Sequence, residues 1–123
     1  MNKLALLLLS GLTLWGVEFH TYKEGLKIQK QTGKIMMIDI MRTGCHYCEK
    51  MEKNVFQDKE LSALIEKKFV PVKINLADEK LSGGMHIDFT PTFYFIDKKG
   101  KIIKRLPGSW TIEDFKFIAK KIK

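Results

Sequence analysis

Apolar and polar residues along the chain alternate between two periods, and the switches between them mark its elements. From Tyr22 to Gln31, Leu26 and Ile28 lie among lysines and glutamates at spacings that suit a short amphipathic helix, which Thr32-Gly33 ends. Ile35 to Met41 is an apolar run interrupted by Asp39; it reads as a buried strand that stops at Thr43-Gly44. From Cys45 the apolar positions recur at helical spacing, with Cys48, Met51, Val55 and Phe56 on or near one face and Glu49, Lys50, Glu52 and Lys53 outward. Asp58 is placed to cap a further helix running through Leu61, Leu64 and Ile65 to Lys68.

Phe69 to Asn75 reads as a second strand, and because Pro71 has no N–H to give a ladder, full pairing is expected only from Val72 onward. Leu76 to Asp88, with Gly83-Gly84 in its middle, is the least regular stretch. Thr92 to Ile96 is a strand, Asp97 to Gly100 a tight turn, and Lys101 to Leu106 the alternating partner of a hairpin. Pro107-Gly108 breaks the pattern, and Thr111 caps a last helix whose stripe is Ile112, Phe115, Ile118, Ala119 and Ile122. Strand-helix-strand followed by strand-strand-helix predicts an α/β fold, a mixed central sheet flanked by helices on both faces.

Ahead of this pattern stands a segment with no polar face. Lys3 precedes Leu4 to Trp15, an apolar stretch broken only by Ser10, Gly11 and Thr13, too short to span a bilayer comfortably and followed by polar, helix-forming sequence. Residues 1–16 therefore read as a secretory signal peptide cut after Gly16. Leu14 is large for its place three positions from that cut, so an uncleaved anchor is the alternative, and the one way in which membrane attachment is expected. Residues 17–123 are then one domain, long enough to hold a real core. Losing residues 1–16 removes Lys3 alone and takes the formal charge from +8 to +7. The lysines are spread rather than clustered, which predicts a solvated surface and no nucleic-acid partner, with weak attraction to anionic lipid or acidic partners left open.

The chemistry centres on Cys45-His46-Tyr47-Cys48, at the strand-to-helix junction. A thiolate is favoured at a helix N-terminus by unpaired N–H groups and the positive end of the dipole, so Cys45 is expected to be the exposed nucleophile. Cys48, one turn on, can close a ring with Cys45 or resolve a mixed disulfide. The same pair could be half of a zinc site or a structural bridge. Zinc normally takes four ligands, whereas the chain has two cysteines and three histidines, His20, His46 and His86, with no second pair at ligand spacing. A ring this small constrains little of the unfolded chain, so redox chemistry is the preferred reading, with neither metal nor cofactor expected.

From Phe19 to Lys123 the chain resembles the thioredoxin family, through the CxxC at the junction, Thr90-Pro91 ahead of a strand, Asp39 six residues before Cys45, Lys73 in the next strand and Gly108 after the hairpin. The resemblance implies a thioredoxin fold and a cis Thr90-Pro91 peptide lying against the disulfide, its backbone open to pair with an incoming chain. It implies that Asp39 helps to move the proton of Cys48, with Lys73 as its charge partner. Gly44 stands where cytosolic thioredoxins have tryptophan, and His46-Tyr47 replaces their Gly-Pro. A histidine donating to the Cys45 thiolate would stabilise the reduced form and make the pair more oxidising, with Tyr47 beside it. Thr90 and Tyr47 are similar to features of periplasmic disulfide isomerases, whose separate dimerisation domain is not expected here; a monomer is.

These readings combine into an exported thiol-disulfide oxidoreductase of the periplasm. Its expected work is the reduction of protein disulfides, with a membrane protein supplying electrons. The alternatives are an oxidase or isomerase using the same residues, in which that partner would accept electrons, and a peptide-binding module of the same fold in which the pair is incidental. Met41, Met51 and Met85 are read as core filling rather than as the lining of a groove.

Overall fold

The computed structural model describes residues 16–123, so the expected signal peptide, Gly16 apart, lies outside the described residues. Helix α1 spans Tyr22–Thr32 and strand β1 Ile35–Met41. Helix α2, His46–Lys50, runs directly into a π-helical turn, Met51–Val55. Helix α3 (Lys59–Lys68), strand β2 (Phe69–Asn75), strand β3 (Thr92–Ile96), strand β4 (Ile102–Pro107) and helix α4 (Ile112–Lys121) complete the order. The four-stranded sheet runs β2-β1-β3-β4, with β1 parallel to β2 and antiparallel to β3, and β3 antiparallel to β4. This is the thioredoxin fold. Among the described residues no helix is long and apolar enough to cross a membrane.

Alternation along the strands sorts the core into two layers. Met37, Phe69, Phe93 and Phe95 face Met51, Val55 and Phe56 together with α3 and α4, while Met36, Ile38, Ile40, Val72 and Tyr94 face α1 and the stretch around Met85. In the first layer the rings of Phe56, Phe93 and Phe115 meet edge to face, with centroids 5.2 to 5.8 Å apart. Caps fix the helix starts: Thr21 and Glu24 form a reciprocal capping box on α1, Asp58 accepts from Leu61 N–H, and Thr111 from Asp114 N–H.

Three local expectations are corrected. Strand β2 pairs from Phe69, with Pro71 opposite Met37. The N–H of Lys73, two residues on, points outward to the His20 carbonyl at 3.0 Å, so Pro71 also turns its nitrogen to the outer edge and costs the β1 ladder nothing. Helix α1 packs through Gly25 and Gln29, with Tyr22 and Ile28 half-buried against the core as well, whereas Leu26 is exposed. A Cβ on Gly25 would overlap Val72 Cγ2, and Gln29 Nε2 donates to the carbonyls of Lys34 and Ile96 at 3.0 and 2.9 Å. The Cys45 helix is not regular to its end: Phe56 N–H bonds to the Met51 carbonyl at 2.9 Å, and the wider turn carries both Val55 and Phe56 into the core.

Candidate active site

Strand β1 ends at Met41, and Gly44, with φ of +78°, turns the chain into α2 through a backbone conformation that an L side chain rarely adopts. Asn75 Nδ2 holds the turn by donating to Thr43 Oγ1 at 2.9 Å. Cys45 is the N-cap, its Sγ accepting from Cys48 N–H at 3.1 Å, and the two sulfurs form a disulfide across a Cα separation of 5.2 Å. Cys45 is half-buried and Cys48 buried. An incoming chain can therefore reach the first sulfur and not the second.

Opposite the disulfide, the Thr90–Pro91 peptide is cis, and Cys45 Sγ lies 3.6 Å from the Thr90 carbonyl oxygen. Two bonds hold this segment in place: Thr92 Oγ1 donates to the Phe89 carbonyl and Gly108 N–H to the Pro91 carbonyl, both at 2.8 Å. Tyr47, Phe89, Thr90, Pro91, Gly108 and Ser109 line a shallow groove of about 240 Å³.

Asp39 shares its sheet face with Met37 and is the register neighbour of Lys73. It is buried, its Oδ1 has no hydrogen-bond partner among the described residues, and its carboxyl is pushed up to about 7. Burial is the main cause; the Lys73 charge opposes it and the Glu52 charge adds to it. Lys73 acts on Asp39 through its charge, while its ion pair is to another carboxylate. Lys73 Nζ lies 3.7 Å from Glu52 Oε1 and 4.6 Å from the centre of the Phe19 ring, with no ion pair to Asp39. Glu52 is thus a member of the site that the sequence reading left facing outward; its spacing of four from Cys48 was the available signal.

His46 and Tyr47 are exposed and meet each other edge-on at 5.4 Å, and His46 makes no hydrogen bond to Cys45 Sγ in the disulfide form. Phe89 also escaped the sequence reading, although an aromatic residue immediately before Thr90-Pro91 was visible there. Among the described residues no group of three or more His, Cys, Asp or Glu side chains is placed to hold a metal ion.

A thioredoxin-like domain family matches residues 22–123. Among solved structures, a thioredoxin from Thermus thermophilus is 26% identical over 86% of this chain and 86% of its own, with a TM-score of 0.74. A thioredoxin-fold protein from Helicobacter pylori is 27% identical over 72% of this chain and 71% of its own, with a TM-score of 0.61. The C-terminal domain of DsbD from Neisseria meningitidis, in its reduced form, is 14% identical over 82% and 93%, with a TM-score of 0.70, a likeness of fold. No curated protein matches the chain. With the family matched from α1 through α4 and a CxxC disulfide at the head of α2, the chain belongs to the thioredoxin-like family, as a thiol-disulfide oxidoreductase carrying the Cys45–Cys48 pair.

Proposed function

We propose that this protein reduces disulfides of exported proteins in the periplasm, with residues 1–16 as the signal that sends it there. The carrying observation is the asymmetry of the pair: Cys45 is reachable and lies beside the Thr90 backbone, whereas Cys48 is buried. In the reduced enzyme the Cys45 thiolate attacks one sulfur of a substrate disulfide, forming a mixed disulfide and expelling the other sulfur as a thiolate, which takes a proton from solvent. The Cys48 thiol gives its proton to ionised Asp39, and the resulting thiolate attacks Cys45 Sγ. The enzyme disulfide forms and the second substrate sulfur leaves as a thiolate, which is protonated in turn. Two electrons pass to the substrate, and a membrane dithiol protein restores the reduced pair.

In the disulfide form His46 turns to Tyr47, and Cys48 N–H is the group bonded to the Cys45 sulfur; the reductive direction requires that His46 stay off the Cys45 thiolate as well. Fewer donors on the thiolate mean less stabilisation of the reduced form. Equilibration of the mature protein with glutathione buffers, read by alkylation, tests this. A potential near or below about -250 mV fits a reductase, and one above about -180 mV would overturn the direction in favour of an oxidase or isomerase.

A further inference from the structure

The groove beside Cys45 has a wall that the fold goes to some length to hold in place. Phe89 and Tyr47, 56% and 57% exposed, frame it. Phe89 is anchored through its own carbonyl to Thr92 Oγ1, and its ring lies over Gly108, where a Cβ would stand 3.8 Å from Phe89 Cε2. The residues just before it are tied to a single buried hydroxyl. Tyr94 Oη donates to the His86 carbonyl at 2.6 Å and accepts from His86 N–H at 3.0 Å and from Arg105 Nε at 3.1 Å, while Arg105 Nη2 reaches Asp88 Oδ2 at 3.4 Å. That uses the full bonding capacity of a phenol, one donor and two lone pairs. A phenylalanine at 94 would fill the same apolar cluster, so what the hydroxyl adds is the fixing of residues 86–89 against β3 and β4.

We propose that Phe89 and Tyr47 select the substrate residue that flanks the attacked cysteine, favouring an aromatic or large aliphatic side chain, and that Tyr94 is a positioning residue for that wall. This rests on the redox reading of Cys45–Cys48. With Cys45 Sγ 3.6 Å from the Thr90 carbonyl, a polypeptide whose sulfur is at Cys45 passes along Thr90 and lays a neighbouring side chain on Pro91. The volume suits one side chain, being below the roughly 300 Å³ at which sites for small molecules begin. Among the described residues no charged side chain lines the groove, so an aspartate or lysine entering it would lose water and gain no charged partner.

The test uses peptides in which one cysteine, linked to glutathione, is flanked on both sides by Phe, Leu, Ser or Asp, and follows their reduction by the dithiol form of the protein. Wild type is expected to show kcat/KM at least about tenfold higher for the Phe and Leu peptides than for Ser and Asp. Phe89→Ala should cut that preference to under about threefold while Phe89→Leu keeps it, as expected where apolar contact alone discriminates. Tyr94→Phe should raise KM for the Phe peptide more than it lowers kcat and leave the Cys45/Cys48 potential at the wild-type value. Equal wild-type rates on all four peptides, or an undiminished preference in Phe89→Ala, would overturn the wall and leave the redox reading standing. A rate loss in Tyr94→Phe matched by a shifted potential would overturn its positioning role. No reduction of any peptide by the dithiol form would overturn the redox reading, and the wall with it.

Discussion

Replacing Asp39 by asparagine isolates the charge of the buried carboxylate while keeping its shape. In the fold, burial raises this acid from 3.8 to about 7, against the attraction of Lys73 and with the repulsion of Glu52. The folded value lies above the unfolded one, which determines the sign. Below about pH 4 both states hold the proton and stability is intact; as pH rises toward 7 the unfolded chain releases a proton that the fold retains, so stability falls, and beyond that range the loss is constant. At about 1.4 kcal/mol per tenfold change in acidity, the full loss is about 4 kcal/mol. Asparagine stays neutral throughout. The variant should match wild type near pH 4 and exceed it by about 2 to 4 kcal/mol near pH 8, the lower figure allowing for relaxation around the charge. Urea unfolding of both oxidised proteins across this range gives the difference directly. A difference that does not change with pH would refute the reasoning. A wild type favoured at high pH would make Asp39 an ion-paired carboxylate held by Lys73.

Other substitutions probe separate links. Cys48→Ala should trap substrates on Cys45 as mixed disulfides visible on non-reducing gels, and absence of any trapped species would contradict the proposed order of attack. Glu52→Gln removes a charge that raises Asp39 and releases Lys73, so the Asp39 titration followed by carboxyl NMR should move to lower pH; an unmoved titration would mean the Glu52 charge is screened from it. Phe56→Ala empties a site packed edge-on by Phe19, Phe93 and Phe115 and should cost about 3 to 5 kcal/mol in urea unfolding, and a loss below about 1 kcal/mol would show that the core collapses around it. Thr21→Ala breaks the capping box of α1 and should cost about 1 kcal/mol, with no change meaning that the packing of Gly25 and Gln29 carries that helix start.

Much of the fold is legible in the chain because strand alternation and side-chain caps are local signals. Thr21, Asp58 and Thr111 each cap their own helix within three residues. What was not legible depends on neighbours distant in sequence. Nothing local says that Pro71 turns its nitrogen to the outer edge of β2, because that depends on His20 covering that edge. Gly25 reads as a weak point of a helix until Val72 is placed against it. The π-helical turn is hidden because its widening serves two adjacent side chains, Val55 and Phe56, that a regular helix would point apart. At the site, the disulfide, the cis peptide and a buried Asp39 follow from motif and pattern. The choice of Lys73 between Asp39 and Glu52 depends on which carboxylate meets water. Glu52 is exposed where Lys73 reaches it, whereas burial disfavours the charged form of Asp39 and so weakens its pull on Lys73.

That division bears on why an aspartate stands at position 39 at all. Alternation along β1 sends it to the face that Met37 shares with Met51 and Val55, on the helical segment that carries Cys48, where an aliphatic residue would pack without penalty. A loss of about 4 kcal/mol at neutral pH is a large part of the 5 to 15 kcal/mol that holds typical domains together. Such a group is retained where its proton has a use, and an acid near 7 can both give and take one at the pH where it works. Asp39→Asn should therefore stabilise the fold above pH 7 and at the same time slow release of substrate from the Cys45 mixed disulfide. The slowing should be strongest at and just above pH 7, where wild-type Asp39 is ionised and the Cys48 thiol still depends on a base, and least at low pH, where wild-type Asp39 is itself protonated. Stopped-flow release rates at several pH values, set beside the unfolding data, decide it. A variant that gains stability and releases substrate at the wild-type rate would leave the carboxylate without the proposed proton-transfer role.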